Sequence, residues 1–118
     1  MGDFRKLEVW QMAKKLAVVI YQVTNDTAFS KDFGLKDQIR RASVSISSNI
    51  AEGEESGTNR MSIRHFYISK GSSAEVQSQA EIAHEIGYLN KDKLVEILDL
   101  CNQISSKLTK LISYRKNH

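Results

Sequence analysis

Residues 90–112 read NKDKLVEILDLCNQISSKLTKLI. Within them Leu94, Ile97, Cys101, Ile104, Leu108 and Leu111 recur at intervals of 3, 4, 3, 4 and 3, and Leu98 and Ile112 flank the series. This is the a/d seam of a helix that packs nearly parallel to its neighbours, about 20° off, as in a bundle. Asn90 stands where an N-cap is needed, since its side-chain oxygen can accept from the first free backbone N–H groups. One amphipathic helix cannot bury such a seam alone, so the rest of the chain has to supply the facing helices.

It does. A third segment spans about Arg60 to Ile86, and Gly87 follows it where the left-handed C′ conformation ends a helix. A second segment, Leu35 to about Glu54, places Leu35, Ile39, Ala42, Ile46 and Ile50 on one face. Ser43 to Ser48 alternates polar and apolar as a half-buried strand would, but the helical spacing on both sides covers more residues and favours helix. Gly53 to Asn59, with Gly53, Ser56, Gly57, Thr58 and Asn59, reads as the turn between these two segments.

The first segment runs from about Lys6 to Asn25. Val9, Ala13, Leu16, Ile20 and Val23 form one stripe; Trp10, Ala17 and Tyr21 form a second, with Met12 and Val19 widening the arc. A surface helix needs an apolar arc of about 100°, and this one has more. Such a helix lies centrally in the core or buries a second face against another chain, which makes Trp10, Ala17 and Tyr21 the candidate oligomer interface. A turn rich in Asn, Asp, Ser and Thr follows from Asn25 to Gly34, with Asp32 as N-cap candidate for the second segment. The expected fold is an all-α, up-down-up-down antiparallel four-helix bundle, with residues 1–118 as one domain.

Composition agrees. The 118 residues contain no proline, where about 5% is usual, and only six glycines. That disfavours a loop-rich sandwich or barrel and excludes Pro-rich linker material. Apolar residues make up 41% and charged residues 26%, ordinary globular values. The single cysteine, Cys101, excludes an intrachain disulfide framework and a cysteine-based zinc site. Its place on the seam fits a small buried hydrophobe. The N-terminal residues lead into an amphipathic run without a signal-peptide h-region. The longest apolar run, Leu16 to Tyr21, is far short of the roughly 20 residues a membrane span needs. A cytoplasmic protein without membrane partners is expected.

Net charge is +3, short of the strong basicity that by itself marks a nucleic-acid binder. Its distribution says more. Between Ser105 and His118 stand Lys107, Lys110, Arg115 and Lys116 with no acid. They complement the macrodipole at a helix end, or they contact a polyanion. Arg40-Arg41 is the most compact basic pair; neighbouring helix positions lie about 100° apart, so one arginine can pair internally while the other points outward to phosphate or a partner carboxylate.

Catalytic patterns are incomplete. Glu81-Ile82-Ala83-His84 has the Glu-x-x-His spacing of a di-iron bundle, but that site needs two such motifs. His65 follows Ser62 at that spacing and His118 follows Arg115, so no second motif exists. No serine lies in a Gly-x-Ser-x-Gly elbow, and Gly53-x3-Gly57 lacks the Gly-Lys-Ser/Thr of a phosphate loop. No catalytic residue, metal ligand or cofactor is assigned.

The unusual feature is polar side chains where core is expected. Asn49 falls beside Ile46 and Ile50, and the stripe Ile68, Ser72, Glu75, Gln79, Ile82 and Ile86 has a polar middle. Ser48, Asn49, Glu52 and Glu75 are therefore read as a polar layer that fixes helix register, with a binding cleft as the alternative. A buried carboxylate at Glu75 needs a donor, and Arg40, Arg41 or Asn49 are the candidates.

Phe4-x-x-Leu7-x-Val9-Trp10, Gly34-Leu35-x-x-Gln38-x-Arg40-Arg41-Ala42 and Ser45-Ile46-x-Ser48-Asn49-Ile50-Ala51-Glu52-Gly53, together with Phe66, Gly71-Ser72, Glu75 and Gly87-Tyr88, resemble the bacterial four helix bundle protein family. That family includes proteins encoded in intervening sequences of the 23S ribosomal RNA gene and is similar to the accessory protein of diversity-generating retroelements. The resemblance implies a left-handed up-down bundle, a ring-like homopentamer and no catalysis. It also implies, by way of the retroelement relative, nucleic-acid binding. Five copies of a +3 chain would carry +15, so weak phosphate contacts would add. The family commonly has proline where Ser47 stands, so helix two should run unbroken through Ser47. The expected function is a non-enzymatic homopentamer with RNA or DNA as ligand, the contacts carried by Arg40, Arg41, Lys107, Lys110, Arg115 and Lys116. The alternative is a scaffold that binds a protein partner through the ring.

Overall fold

The computed structural model describes residues 3–118. A 3-10 turn at Phe4–Lys6 leads into α1 (Glu8–Val23), then a short α2 (Thr27–Lys31), α3 (Phe33–Glu55), α4 (Asn59–Glu85) and α5 (Lys91–Asn117). The four long helices form a rod 47 × 20 × 20 Å. α3 packs on α4, α4 on α5, and α1 closes the square against both α3 and α5.

Consecutive long helices are antiparallel, as their side-chain bonds show. Along the α3–α4 pair, Ser62 bonds the Gly53 carbonyl, Ser69 the Ile46 carbonyl, and Gln79 reaches Gln38. One number falls as the other rises. The same holds for α4 and α5, where Tyr67 meets Lys116 and Ser73 meets the Cys101 carbonyl. For α1 and α3, Thr24 meets Arg40 at one end and the Phe4 amide meets Glu55 at the other. The up-down-up-down bundle read from the sequence is the observed fold.

Local chemistry sets the helix ends. Asp32 caps α3, accepting from the Leu35 amide at 3.1 Å, and Asn90 caps α5, accepting from the Lys93 amide at 2.8 Å. Gly87 at φ +89° ends α4. Its N–H donates to the His84 carbonyl and that of Tyr88 to the Ala83 carbonyl, the paired bonds of a Schellman motif. α3 passes Ser47 as continuous helix, with the Ser47 hydroxyl donating to the Val44 carbonyl at 3.0 Å. The Ser43–Ser48 alternation is thus helical.

Two expectations about the connections are corrected. The Asn25–Gly34 turn contains α2, which drives the fully buried Phe29 under the bundle, where it lies 5.3 Å from the Tyr88 ring. Apolar burial, not turn chemistry, organises that connection. Gly53 does not break α3; it is buried inside it. A Cβ there would lie 2.6 Å from Phe66 Cε1, so the glycine lets α4 approach.

The core contains Leu94, Ile97, Cys101, Ile104 and Leu108 of the α5 seam with Leu100 and Ile112, while Leu111 packs half-buried at its edge. Val9, Ala13, Leu16, Val19 and Ile20 of α1, Ile39, Ile46 and Ile50 of α3, and Phe66, Val76, Ala80 and Ala83 of α4 belong to it as well. Serines complete the α4 core face: Ser62, Ser69, Ser72 and Ser73 are buried. They are small enough for close helix approach, and each hydroxyl donates to a neighbouring oxygen.

The Glu75 assignment is overturned. Of the expected stripe, Ile68, Glu75, Ile82 and Ile86 face solvent, whereas Ser72 is buried and Gln79 half-buried against α3. Glu75 makes no contact with Arg40, Arg41 or Asn49, and Ser48 and Glu52 are exposed as well. Hydroxyls donating to backbone carbonyls satisfy a buried face at little cost, whereas a carboxylate would need a full counter-ion. Of the four residues proposed for a polar layer, Asn49 alone sits between helices, half-buried. Its Nδ2 donates to the Ser45 carbonyl and hydroxyl, and its Oδ1 faces His65 Nδ1 at 3.0 Å.

Candidate functional site

The basic residues singled out by sequence divide into internal clamps and surface cations. Arg40 is a clamp. Its Nε donates to Thr24 Oγ1 at 2.8 Å and its Nη2 to Asn25 Oδ1 at 3.0 Å, and the guanidinium lies 4.3 Å over the Tyr21 ring. It ties α3 to the C-terminal end of α1. Arg115 is another. Nη2 donates to Glu54 Oε1 at 2.8 Å and Nη1 to Ser62 Oγ at 3.2 Å, pinning the end of α5 to α3 and α4. Both partners of that ion pair are largely buried, with side chains 19% and 11% exposed. Arg115 leaves the phosphate-binding set, because its charge is paired with Glu54 inside the bundle, whereas Arg40 has no carboxylate partner among the described residues.

Lys107 pairs with Glu8 across α1 and α5, and this bond and charge hold the Glu8 carboxyl below its ordinary range. Lys116 donates to the Tyr67 hydroxyl at 3.1 Å yet stays exposed. Lys110 and Arg41 are exposed without an acidic partner among the described residues. Arg41 is the outward member of the Arg40-Arg41 pair, beside Tyr21 and Val44.

Antiparallel packing adds cations that no single stretch of sequence reveals. The start of α1, the end of α3, the start of α4 and the end of α5 all lie at one end of the rod. The acids there are engaged: Asp3 with Arg5, Glu8 with Lys107, Glu54 with Arg115, Glu52 near His65, and Glu55 with the Phe4 amide. Lys6, Arg60, Arg64, Lys110 and Lys116 remain exposed and unpaired with any carboxylate. Beside them a groove of about 450 Å³ runs between α1 and α5, lined by Leu7, Val9, Leu111 and Tyr114 with Glu8, Lys107 and Lys110.

The candidate oligomer residues lie on or near a second face. Trp10 is half-buried and meets Phe4 edge-on at 5.0 Å, so part of its ring serves the monomer. Ala17 and Tyr21 line a shallow groove with Lys14, Val18 and Ser47. Val18 and Val44, which the sequence reading did not single out for this face, are exposed with Tyr21.

The remaining chemical candidates are structural. His84 Nδ1 sits 2.8 Å from the Leu89 carbonyl, while Glu81 is exposed. Cys101 is fully buried, and burial pushes its thiol up from 9.0 to about 11. Among the described residues no three His, Cys, Asp or Glu side chains converge as a metal site, and no helix is long and apolar enough to cross a membrane.

Four long antiparallel helices around a serine-lined core define an up-down helical bundle protein. Residues 5–110 match the 23S rRNA-intervening sequence protein family, and the chain belongs to that family. A search of curated proteins returns no match. The fold is similar to the crystal structure of a protein with unknown function from the S23 ribosomal protein family of Bacteroides thetaiotaomicron. The two superpose with a TM-score of 0.80 at 23% identity, over 88% of this chain and 97% of that one.

Proposed function

We propose that this protein is a non-enzymatic bundle that assembles with copies of itself into a homopentameric ring and binds RNA or DNA through the basic end of the rod. The observation that carries the nucleic-acid reading is the charge balance at that end. Its acids are engaged within the monomer, while Lys6, Arg60, Arg64, Lys110 and Lys116, from three different elements, are left to solvent. Phosphate contacts of this kind are sequence-independent and individually weak, and a ring that repeats them five times strengthens them by avidity. Exposed Val18, Tyr21, Val44, Ile68 and Ile82 supply the apolar surface that self-association needs. The non-enzymatic reading is supported by the bond of His84 to the Leu89 carbonyl, the burial of Cys101 and the bonding of the core serines to neighbouring oxygens.

The test is binding of duplex RNA and duplex DNA fragments across a salt series. Affinity should fall steeply, with log affinity linear in log salt. Arg60→Glu with Lys110→Glu should weaken binding about tenfold or more at low salt and flatten that slope. Failure of the wild-type protein to bind either duplex at low salt overturns the nucleic-acid reading. The apolar groove between α1 and α5 would then favour a scaffold that docks a protein partner.

A further inference from the structure

One face of α4 has no role in the monomer. Met61, Ile68 and Ile82 lie on a strict seven-residue spacing and are 43–51% exposed; Glu75, also exposed, fills the remaining place in the series. Seven residues return a helix to within about 20° of the same direction, so the four side chains form one straight column. Apolar columns of this period pack against another helix, and a polar residue within one fixes register at some cost in stability. The α4 core face is a different stripe, built on Phe66, Ser69, Val76, Ala80 and Ala83. This helix therefore carries two packing faces, of which the bundle uses one.

The groove between α1 and α3 is the complement. Tyr21 and Val44 are exposed along it; Arg40, Arg41 and Asp37 stand beside them, so the groove carries two cations to one acid, and Arg41 makes no ion pair among the described residues. The levels also agree. Ser45 bonds Ser72 and Gln38 bonds Gln79, which puts Arg41 and Glu75 at the same height along the rod. A ring whose axis follows the rods keeps every copy at one level, so a contact between copies has to join groups of equal height.

We infer that the α4 column of one copy packs on the α1–α3 groove of the next, with Glu75 of the first paired to Arg41 of the second. This deepens the self-association reading and rests on it. A second copy is the occupant because one chain presents both surfaces, the acid of one matching the free cation of the other in sign and height. The two surfaces differ, so the contact is head-to-tail, and a closed assembly built from it is a ring of more than two copies.

Charge reversal tests it by native mass and light scattering. Glu75→Arg and Arg41→Glu each place like charges in the contact and should weaken assembly about tenfold or more. The double variant Glu75→Arg, Arg41→Glu should restore it. Both side chains are exposed and unpaired in the monomer, so circular dichroism should show unchanged folding in all three. Wild-type monomer would overturn the self-association reading itself. A wild-type ring whose mass the single variants leave unchanged would overturn this contact alone, as would a two-fold dimer or failure of the double variant to restore assembly.

Discussion

Gly53 and Cys101 show how single residues set the terms for their neighbours. Alanine is better than glycine in a helix interior by about 1 kcal/mol. At position 53, though, the added methyl would stand 2.6 Å from Phe66 Cε1 and 3.2 Å from His65 Cβ. Overpacking against a buried ring costs about 1–3 kcal/mol, so Gly53→Ala should lose up to about 2 kcal/mol net in urea unfolding. An increase in stability would show that α3 and α4 can separate without cost. Cys101 makes a pH prediction. Its folded thiol holds its proton up to about 11 against an ordinary 9.0. Below 9 both folded and unfolded thiols are protonated and nothing is lost. As pH rises from about 9 toward 11 the unfolded thiol ionises first, and stability should decline. Cys101→Ala should remove that part of the decline. The native thiol should also resist alkylation at neutral pH and react only when the chain unfolds.

At the scale of the element, the ends of helices carry more specificity than their middles. α3 and α5 begin on side-chain caps, α4 ends on a left-handed glycine, and α1 ends under the Arg40 guanidinium. The end of α5 is fastened by Arg115, which touches α3 through Glu54 and α4 through Ser62. Replacing one partner of a largely buried ion pair strands the other, which costs more than the pair itself contributes. Arg115→Leu should therefore destabilise the protein by about 2–3 kcal/mol, a value discounted for the residual exposure of both side chains. Arg115→Leu with Glu54→Leu should recover most of it. Equal loss in the double variant would mean that Arg115 acts through its contact with Ser62. The same clamp explains why a run of cations without acids need not be a binding site. Arg115 finds its acid 61 positions away in sequence, a distance no local reading spans.

For the whole molecule, the proposed self-association makes a prediction about stability. The core fills the bundle, yet apolar side chains remain outside on α1, α3 and α4. If they are buried between copies, thermal stability depends on concentration, because assembly binds the folded chain and not the unfolded one. The melting temperature should rise with protein concentration, and native mass should be five times the 13.4 kDa of one chain. A melting temperature independent of concentration, with a monomer throughout, would remove the ring from the proposal. In the proposed ring the basic end would gain from the same geometry, since its cations would repeat about one axis.

The seam of residues 94–111, the caps at Asp32 and Asn90 and the glycine at position 87 were legible because helix period and capping are local. They depend on neighbours three or four positions away, and the sequence displays those directly. By itself it determined an all-helical antiparallel bundle, the burial of Cys101 and the continuity of α3 through Ser47. What it misplaced was the stripe of α4 that faces the core. Serines and an isoleucine-rich stripe compete there, and hydrophobicity favours the wrong one. Only the tertiary structure decided that hydroxyls bonded to carbonyls line the interior, that Glu75 faces out, and that Arg40 and Arg115 turn inward. It also gathered Lys6, Arg60, Arg64, Lys110 and Lys116 at one end. The physical reason is range: periodicity fixes a helix from within, whereas the partner of a charge and the exposure of a face are set by what packs against it.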